Sequence, residues 1–313
     1  MQTVYYKYGE DRPELPKLAL ALGFFDGVHR GHRELLRRAK ERAKELSLPL
    51  GVFTFPSEAF SVKAGGGRLY STDEKLSLLE GLGVEYVILA DFDSISGLSP
   101  VDFVTRVLVS ELNCALSVCG YSFRFGKGAA GECELLSSLM KAHGLESVTV
   151  EEQKYQGKTL STSVIKTALA EGDTDSAARM LGLPYHLRGR VEHGLGLGRT
   201  LGFPTVNISL PEDSPLRSGV YHTAVPVDGK IYNALTNVGS CPTFGERTPH
   251  AETTLLDFSG DLYGKTLTVY FLSLLREEMT FASPEALTEQ ITKDIEKVKE
   301  QTRGISWQEI GLS

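Results

Sequence analysis

Residues 17–48 read KLALALGFFDGVHRGHRELLRRAKERAKELSL, and the fold of the first half of the chain turns on them. The opening run, 17–25, is apolar without helical spacing and reads as a buried strand. After Gly31 the pattern changes: Leu35, Leu36, Ala39, Ala43 and Leu46 recur at helical spacing, so a helix follows. Between strand and helix lie Gly23, Phe24, Asp26, Gly27 and Gly31, together with two histidines, His29 and His32. In open α/β sheets ligands bind where a strand hands over to a helix. The glycines allow close backbone approach, and the free N–H groups of a helix start suit phosphate. Alone, H-x-x-H fits a helix cap beside a solvated histidine. In this context it points to a nucleotide site that stabilises charge on a reacting phosphate.

Working outward, 49–55, 84–92 and 114–123 are apolar strands, separated by helices over 74–83 and 101–112. Such alternation predicts parallel βαβ units in a doubly wound, Rossmann-like domain. GYSFRFGKG (120–128) follows a strand and places Phe123, Arg124 and Gly126 in a loop able to line a nucleotide. LSTSVIK (160–166) offers Ser161, Thr162, Ser163 and Lys166 at a helix start, as a phosphate cradle or an ordinary Ser/Thr cap.

Beyond this the character shifts. A short helix through SAARML, capped by Asp175, stops at Gly182, and the boundary falls near Leu183-Pro184. The domains expected are 1–182 and 183–313. From Leu187 the pattern is strand and turn, with a hairpin at Val227-Asp-Gly-Lys230. A final helix has Ser283 as N-cap, Pro284 at N1 and Leu287, Ile291, Ile295 and Val298 as its apolar stripe. The second domain therefore reads as a β-barrel with a C-terminal helix. HGLGLGRTLGFPTVNI (193–208) is glycine-rich, but Pro204 forbids the helix of a dinucleotide fingerprint, and GK[ST] is absent. It reads as a flap over phosphates containing Gly196, Gly198 and Arg199. Thr205 and Asn207 behind it supply oxygen ligands of the kind Mg²⁺ prefers.

A formal net charge of −7 argues against general nucleic-acid binding. The basic residues of 33–44 are interleaved with Glu34 and Glu41, as on a solvated face. No run is long enough to span a bilayer, and MQTVYYKYGEDRPELPK lacks a secretory pattern, so a cytoplasmic location is expected. The four cysteines (Cys114, Cys119, Cys133, Cys241) form no CxxC pair and read as reduced, mostly buried thiols.

Together these stretches resemble the bacterial bifunctional riboflavin kinase/FAD synthetase family. GFFDGVHRGH (23–32) matches G-x-F-D-G-V-H-x-G-H of its FMN adenylyltransferase module, FRFG (123–126) matches F-x-F-G, and STSVIK (161–166) aligns with S-S-T-x-I-R. GLGRTLGFPTVN (196–207), SGVYHTAV (218–225), TNVGSCPTFG (236–245), AETTLLDFSGDLYG (251–264) and LREEMTFAS (275–283) follow in the order of its riboflavin kinase module. The resemblance implies an HxGH-type nucleotidyltransferase domain joined to a kinase barrel. Its partners would be ATP, riboflavin, FMN and FAD, with Mg²⁺ as cofactor and neither nucleic acid nor membrane; the oligomeric state stays open. It implies that Thr205 and Asn207 bind Mg-ATP, that Glu252 is the base for the riboflavin 5′-hydroxyl, and that Arg276 lies on the flavin side. Three departures stand in the first module: TFPSEAF (54–60) lacks the family's histidine, Ser122 replaces Asp or Asn, and Lys166 replaces arginine. They leave open an alternative, a riboflavin kinase with a weak or inactive adenylyltransferase domain. A non-catalytic flavin sensor would not need Glu252.

Overall fold

Six parallel strands, β1 (Gln2–Tyr6), β2 (Leu18–Leu22), β3 (Leu50–Thr54), β4 (Tyr86–Ala90), β5 (Cys114–Gly120) and β6 (Glu146–Val150), form one sheet in the order β1-β4-β3-β2-β5-β6. This is a computed structural model that describes residues 1–59, 67–192, 205–211, 213–239, 250–302 and 307. Helices α1 (Arg30–Glu45), α2 (Thr72–Gly81), α3 (Phe103–Glu111, π-helical) and α4 (Cys133–Ala142) connect the strands. Every residue of β2 is buried, because helices cover both faces of the sheet. Leu18, Leu20 and Leu22 enter one apolar cluster, while Ala19 and Ala21 enter the other. The strand order reverses at β2, which pairs with both β3 and β5. The loop after β2 therefore opens at the topological switch point, where such sheets bind ligands.

The strand expected over 17–25 ends at Leu22, because the backbone turns left-handed at Phe25 (φ 53°). Two strands of this sheet lie outside the sequence reading. β1 is a half-exposed edge strand, and β6 shows no continuous apolar run.

Two further helices, α5 (Thr162–Glu171) and α6 (Thr174–Leu181), precede an antiparallel sheet. The cap of α6 is Asp173, not Asp175: its carboxylate accepts from Ser176 N at 3.0 Å. Asp175 lies one turn inside and pairs with Arg179 at i+4. Gly182 ends the helix in the left-handed conformation, as the sequence indicated.

The sheet comprises β7 (His186–Arg190), β8 (Val206–Ser209), β9 (Gly219–Val227), β10 (Lys230–Gly239), β11 (His250–Leu255) and β12 (Thr266–Arg276), in the order β8-β11-β10-β9-β12-β7. Just beyond β7, Glu192 N donates to Asn207 O at 3.0 Å, which brings the two ends of the sheet together as a nearly closed barrel. The β9–β10 hairpin turns through Asp228 (φ 49°) and Gly229 (φ 81°), the two positive φ angles of a type I′ turn. The last helix, α7 (Pro284–Gln301), has the Ser283 cap and packs Ile291, Ile295 and Val298 on Val220, Leu235 and Leu256.

The chain divides into two compact units, Met1–Thr162 and Ser163–Ser313. Residues 163–182 pack within the second: Arg217 N donates to Leu169 O, and Thr174 Oγ1 to Leu272 O.

Candidate active sites

In the first unit the site is built on the exit from β2. Phe25, Gly27 and Val28 all take positive φ (53°, 79° and 41°), and the chain then enters α1 at His29. Asp26 is buried and fixes this turn, its Oδ1 accepting from Leu69 N at 3.0 Å. His29 is the N-cap of α1, its Nδ1 accepting from His32 N at 3.4 Å. The cap aligns the two imidazoles, whose ring centroids stack 3.8 Å apart at 17°. Gly31 leaves room for this stack, since a Cβ there would meet the His29 ring at 3.1 Å, a tight contact.

Burial holds the His29 pKa down to about 4, and burial with the nearby Lys75 ammonium holds His32 well below its ordinary range. Two stacked imidazoles cannot both carry charge at this spacing, so the free protein keeps a neutral pair. Each ring can offer one N–H as a donor. His32 shows an edge to the cavity while its Nδ1 is sealed inside, with no hydrogen-bond partner among the described residues.

The histidines face a cavity of about 480 Å³. Of the residues singled out in the sequence, Gly23, Phe24, His29, Gly31, His32, Phe123, Arg124, Ser161 and Thr162 line it. Arg124 is ion-paired with Glu132 at the rim, and Thr162 Oγ1 donates to Asp26 O, tying the third motif to the first. Asp26 and Gly126 do not line the cavity. Gly126 turns its loop at φ 72°, where a Cβ would strike Pro100. Ser163 and Lys166 belong to the second unit. Phe55, Phe92, Glu151 and Gln153 also line the cavity and escaped the sequence reading. The signal was there: each lies just past the carboxyl end of β3, β4 or β6, where ligands of such sheets bind.

In the second unit, Thr205 Oγ1 donates to Glu252 Oε1 at 2.7 Å. Asn207 lies directly opposite Glu252 in the β8–β11 register, and Asn237 opposite it in the β10–β11 register. Directly paired residues share a face, so Asn207, Glu252 and Asn237 form one polar rung across three strands. Asn237 was not singled out in the sequence. The rung continues through Val220 to Arg276, whose Nε pairs with Asp294 of α7 at 2.9 Å in a largely buried ion pair. Gly196, Gly198 and Arg199 lie outside the described residues, as does Cys241. Cys114, Cys119 and Cys133 are buried free thiols, as expected.

The oxygen donors of Thr205 and Asn207 fit a hard divalent ion held chiefly by substrate phosphates and water. Among the described residues no cluster of three His, Cys, Asp or Glu could form a protein-only cage.

Two family models match the chain, FAD synthetase over 11–164 and riboflavin kinase over 181–302. A curated bifunctional riboflavin kinase/FMN adenylyltransferase from Pseudomonas fluorescens is 38% identical over 289 residues, covering 91% of this chain and 93% of the relative. One of the same name from Bacillus subtilis is 35% identical over 305 residues, covering 94% and 96%. A solved structure named a macrolide-efflux protein, from Streptococcus pneumoniae, matches with a TM-score of 0.83 at 29% identity, covering 98% of this chain and 100% of that one. Among the described residues of this chain no helix is long and apolar enough to cross a membrane. Two catalytic modules in the expected order, matched along nearly the full length of the curated relatives, place the chain in the bifunctional riboflavin kinase/FMN adenylyltransferase family.

Proposed function

We propose that the chain converts riboflavin to FMN in its second unit and FMN to FAD in its first, using ATP in both steps. The observation that carries this reading is the pairing of two sites in one chain. One is a neutral, stacked His29–His32 pair facing a cavity at the sheet's switch point; the other is a Thr205–Glu252 hydrogen bond in the barrel.

In the kinase step Glu252 takes the proton of the riboflavin 5′-hydroxyl as that oxygen attacks the γ-phosphorus, and ADP leaves. Phosphoryl transfer rests mainly on positioning and charge neutralisation, so one carboxylate is the main chemical demand on the protein. Thr205 orients that carboxylate. Thr205 and Asn207 would hold Mg²⁺ together with ATP oxygens; when bound, the ion neutralises phosphate charge. Gly196, Gly198 and Arg199 belong to the flap proposed to cover the phosphates, and Arg276 borders the flavin.

In the adenylyl step the FMN phosphate is itself the nucleophile, so no protein base is needed. It attacks the α-phosphorus of ATP, and pyrophosphate leaves. His29 and His32 donate N–H bonds to the phosphate oxygens on which charge grows. Gly23, Phe24 and Gly31 let the ligand approach the backbone. Phe123, Arg124, Ser161 and Thr162 close the cavity around it, with Ser163 and Lys166 completing the third motif. By function the division is 1–182 and 183–313, and the location is cytoplasmic.

Riboflavin with Mg-ATP, followed by chromatography of the flavins, tests the scheme. Wild type should yield FMN and then FAD, whereas H29A/H32A should stop at FMN. FMN alone from wild type would instead favour a kinase with an idle first unit, the reading that Ser122, Lys166 and TFPSEAF leave open.

A further inference from the structure

We propose that Lys75 is a positioning residue for adenylyl transfer, a buried cation that sets both the pose and the charge of the GFFDGVHRGH loop from beneath. This rests on the reading of the first unit as an adenylyltransferase.

Lys75 lies on α2 and is wholly inaccessible to solvent (0% exposed). Lysine is almost never buried so completely unless its charge is engaged. Its Nζ donates to Phe55 O at 2.6 Å and Phe24 O at 3.3 Å, and it lies 4.8 Å from the centre of the Phe24 ring. Thr54 Oγ1 donates to the same Phe24 carbonyl at 2.9 Å. One ammonium thus clamps the segment after β3 to the segment after β2, and both Phe24 and Phe55 line the cavity.

What the clamp secures is a strained backbone. Immediately after Phe24, the non-glycine residues Phe25 and Val28 hold positive φ, a conformation that side chains with a Cβ rarely adopt. Such conformations persist only where the surroundings over-determine them. His29 follows at once, so the pose of its ring depends on this turn.

The charge matters as well. The charged and titratable groups facing Lys75 are Asp26 in the loop, Glu58 in the short turn Ser57–Ala59, and His32 on α1. Arg68 pairs with Glu58 at 3.2 Å. Asp26 is buried, and the ammonium and its carboxylate attract each other beneath a pocket meant for polyphosphate. The same ammonium favours the neutral form of His32. A methionine of similar length would fill the space but supply neither effect.

Burial outweighs the two carboxylates and lowers the Lys75 pKa to about 8. The clamp should therefore fail within an accessible alkaline range. The group is charged below that value and neutral above it, so FAD formation should fall as pH rises through about 8. The test measures kcat and KM for both reactions of the full chain between about pH 6.5 and 9.5, in wild type, K75M and K75R. K75M should lose at least about tenfold in kcat/KM for FAD formation, mostly in kcat, while riboflavin phosphorylation in the other unit holds. K75R keeps the charge, so it should recover most of the activity and lose the alkaline limb. FAD formation by wild type that stays flat across this range, or an alkaline limb unmoved in K75R, would overturn the role of Lys75 alone. Wild type that makes no FAD at any pH would overturn the adenylyltransferase reading and Lys75's role with it.

Discussion

Mild acid should weaken the first unit through the two histidines that serve its site. His29 is held neutral down to about pH 4 in the folded chain, against 6.5 for an ordinary histidine. The sign follows from linkage: below 6.5 the unfolded chain takes up a proton that the folded chain refuses, so stability falls as pH falls. The effect is absent above 6.5 and stops growing near 4, where His29 protonates in both states. At pH 5, about 1.5 pH units below the ordinary value, the loss is about 2 kcal/mol, or roughly 30-fold in the opening equilibrium. His32 is lowered in the same direction, chiefly by burial and then by His29 and Lys75, so it acts with the same sign. The assay is hydrogen exchange read by mass spectrometry on peptides from β2 and α1, corrected for the intrinsic pH dependence of exchange. Protection should drop by about 2 kcal/mol or more between pH 7 and 5. In H29N/H32N the drop should largely vanish, since Asn keeps a capping oxygen at position 29 but does not titrate. Equal pH dependence in wild type and variant would refute the argument, because every other titrating group is common to both.

In the barrel, Glu252→Gln should reduce riboflavin phosphorylation by roughly 100-fold or more, with little change in riboflavin KM; a loss of only a few-fold would remove the general-base role. Gly31→Ala places a methyl 3.1 Å from the His29 ring. It should unstack the imidazole pair and depress FAD formation in steady-state kinetics while FMN formation continues, and unchanged FAD formation would show that the stacked geometry is dispensable.

Much of this was legible along the chain because it depends on neighbours in sequence. The β2–turn–α1 unit, the Asp228-Gly229 hairpin, the Ser283 cap and the Gly182 stop each follow from backbone preferences within a few residues. The motif-bearing residues at 23–32 and 123–124 converge on one cavity because they follow the ends of the adjacent strands β2 and β5, and 161–162 join them through the Thr162–Asp26 hydrogen bond. Asp175 was misread as a cap for a local reason too. Asp173 and Asp175 are both competent, and only the actual first turn of α6 selects Asp173.

By itself, then, the sequence determined the two-domain order, the parallel and antiparallel halves, and the residue types that carry the chemistry, since periodicity, capping and spaced motifs are local properties. Tertiary structure alone decided which remote groups meet. It pairs the edge strand β1 with β4, sets Asn237 beside Glu252, ties Arg276 to Asp294, and seals Lys75 beneath Phe24 and Phe55. Strand register and buried charge depend on hydrogen bonds and desolvation between segments far apart in the chain. For that reason a lysine that looks ordinary in TDEKLSLLE becomes a buried cation under the His29–His32 loop.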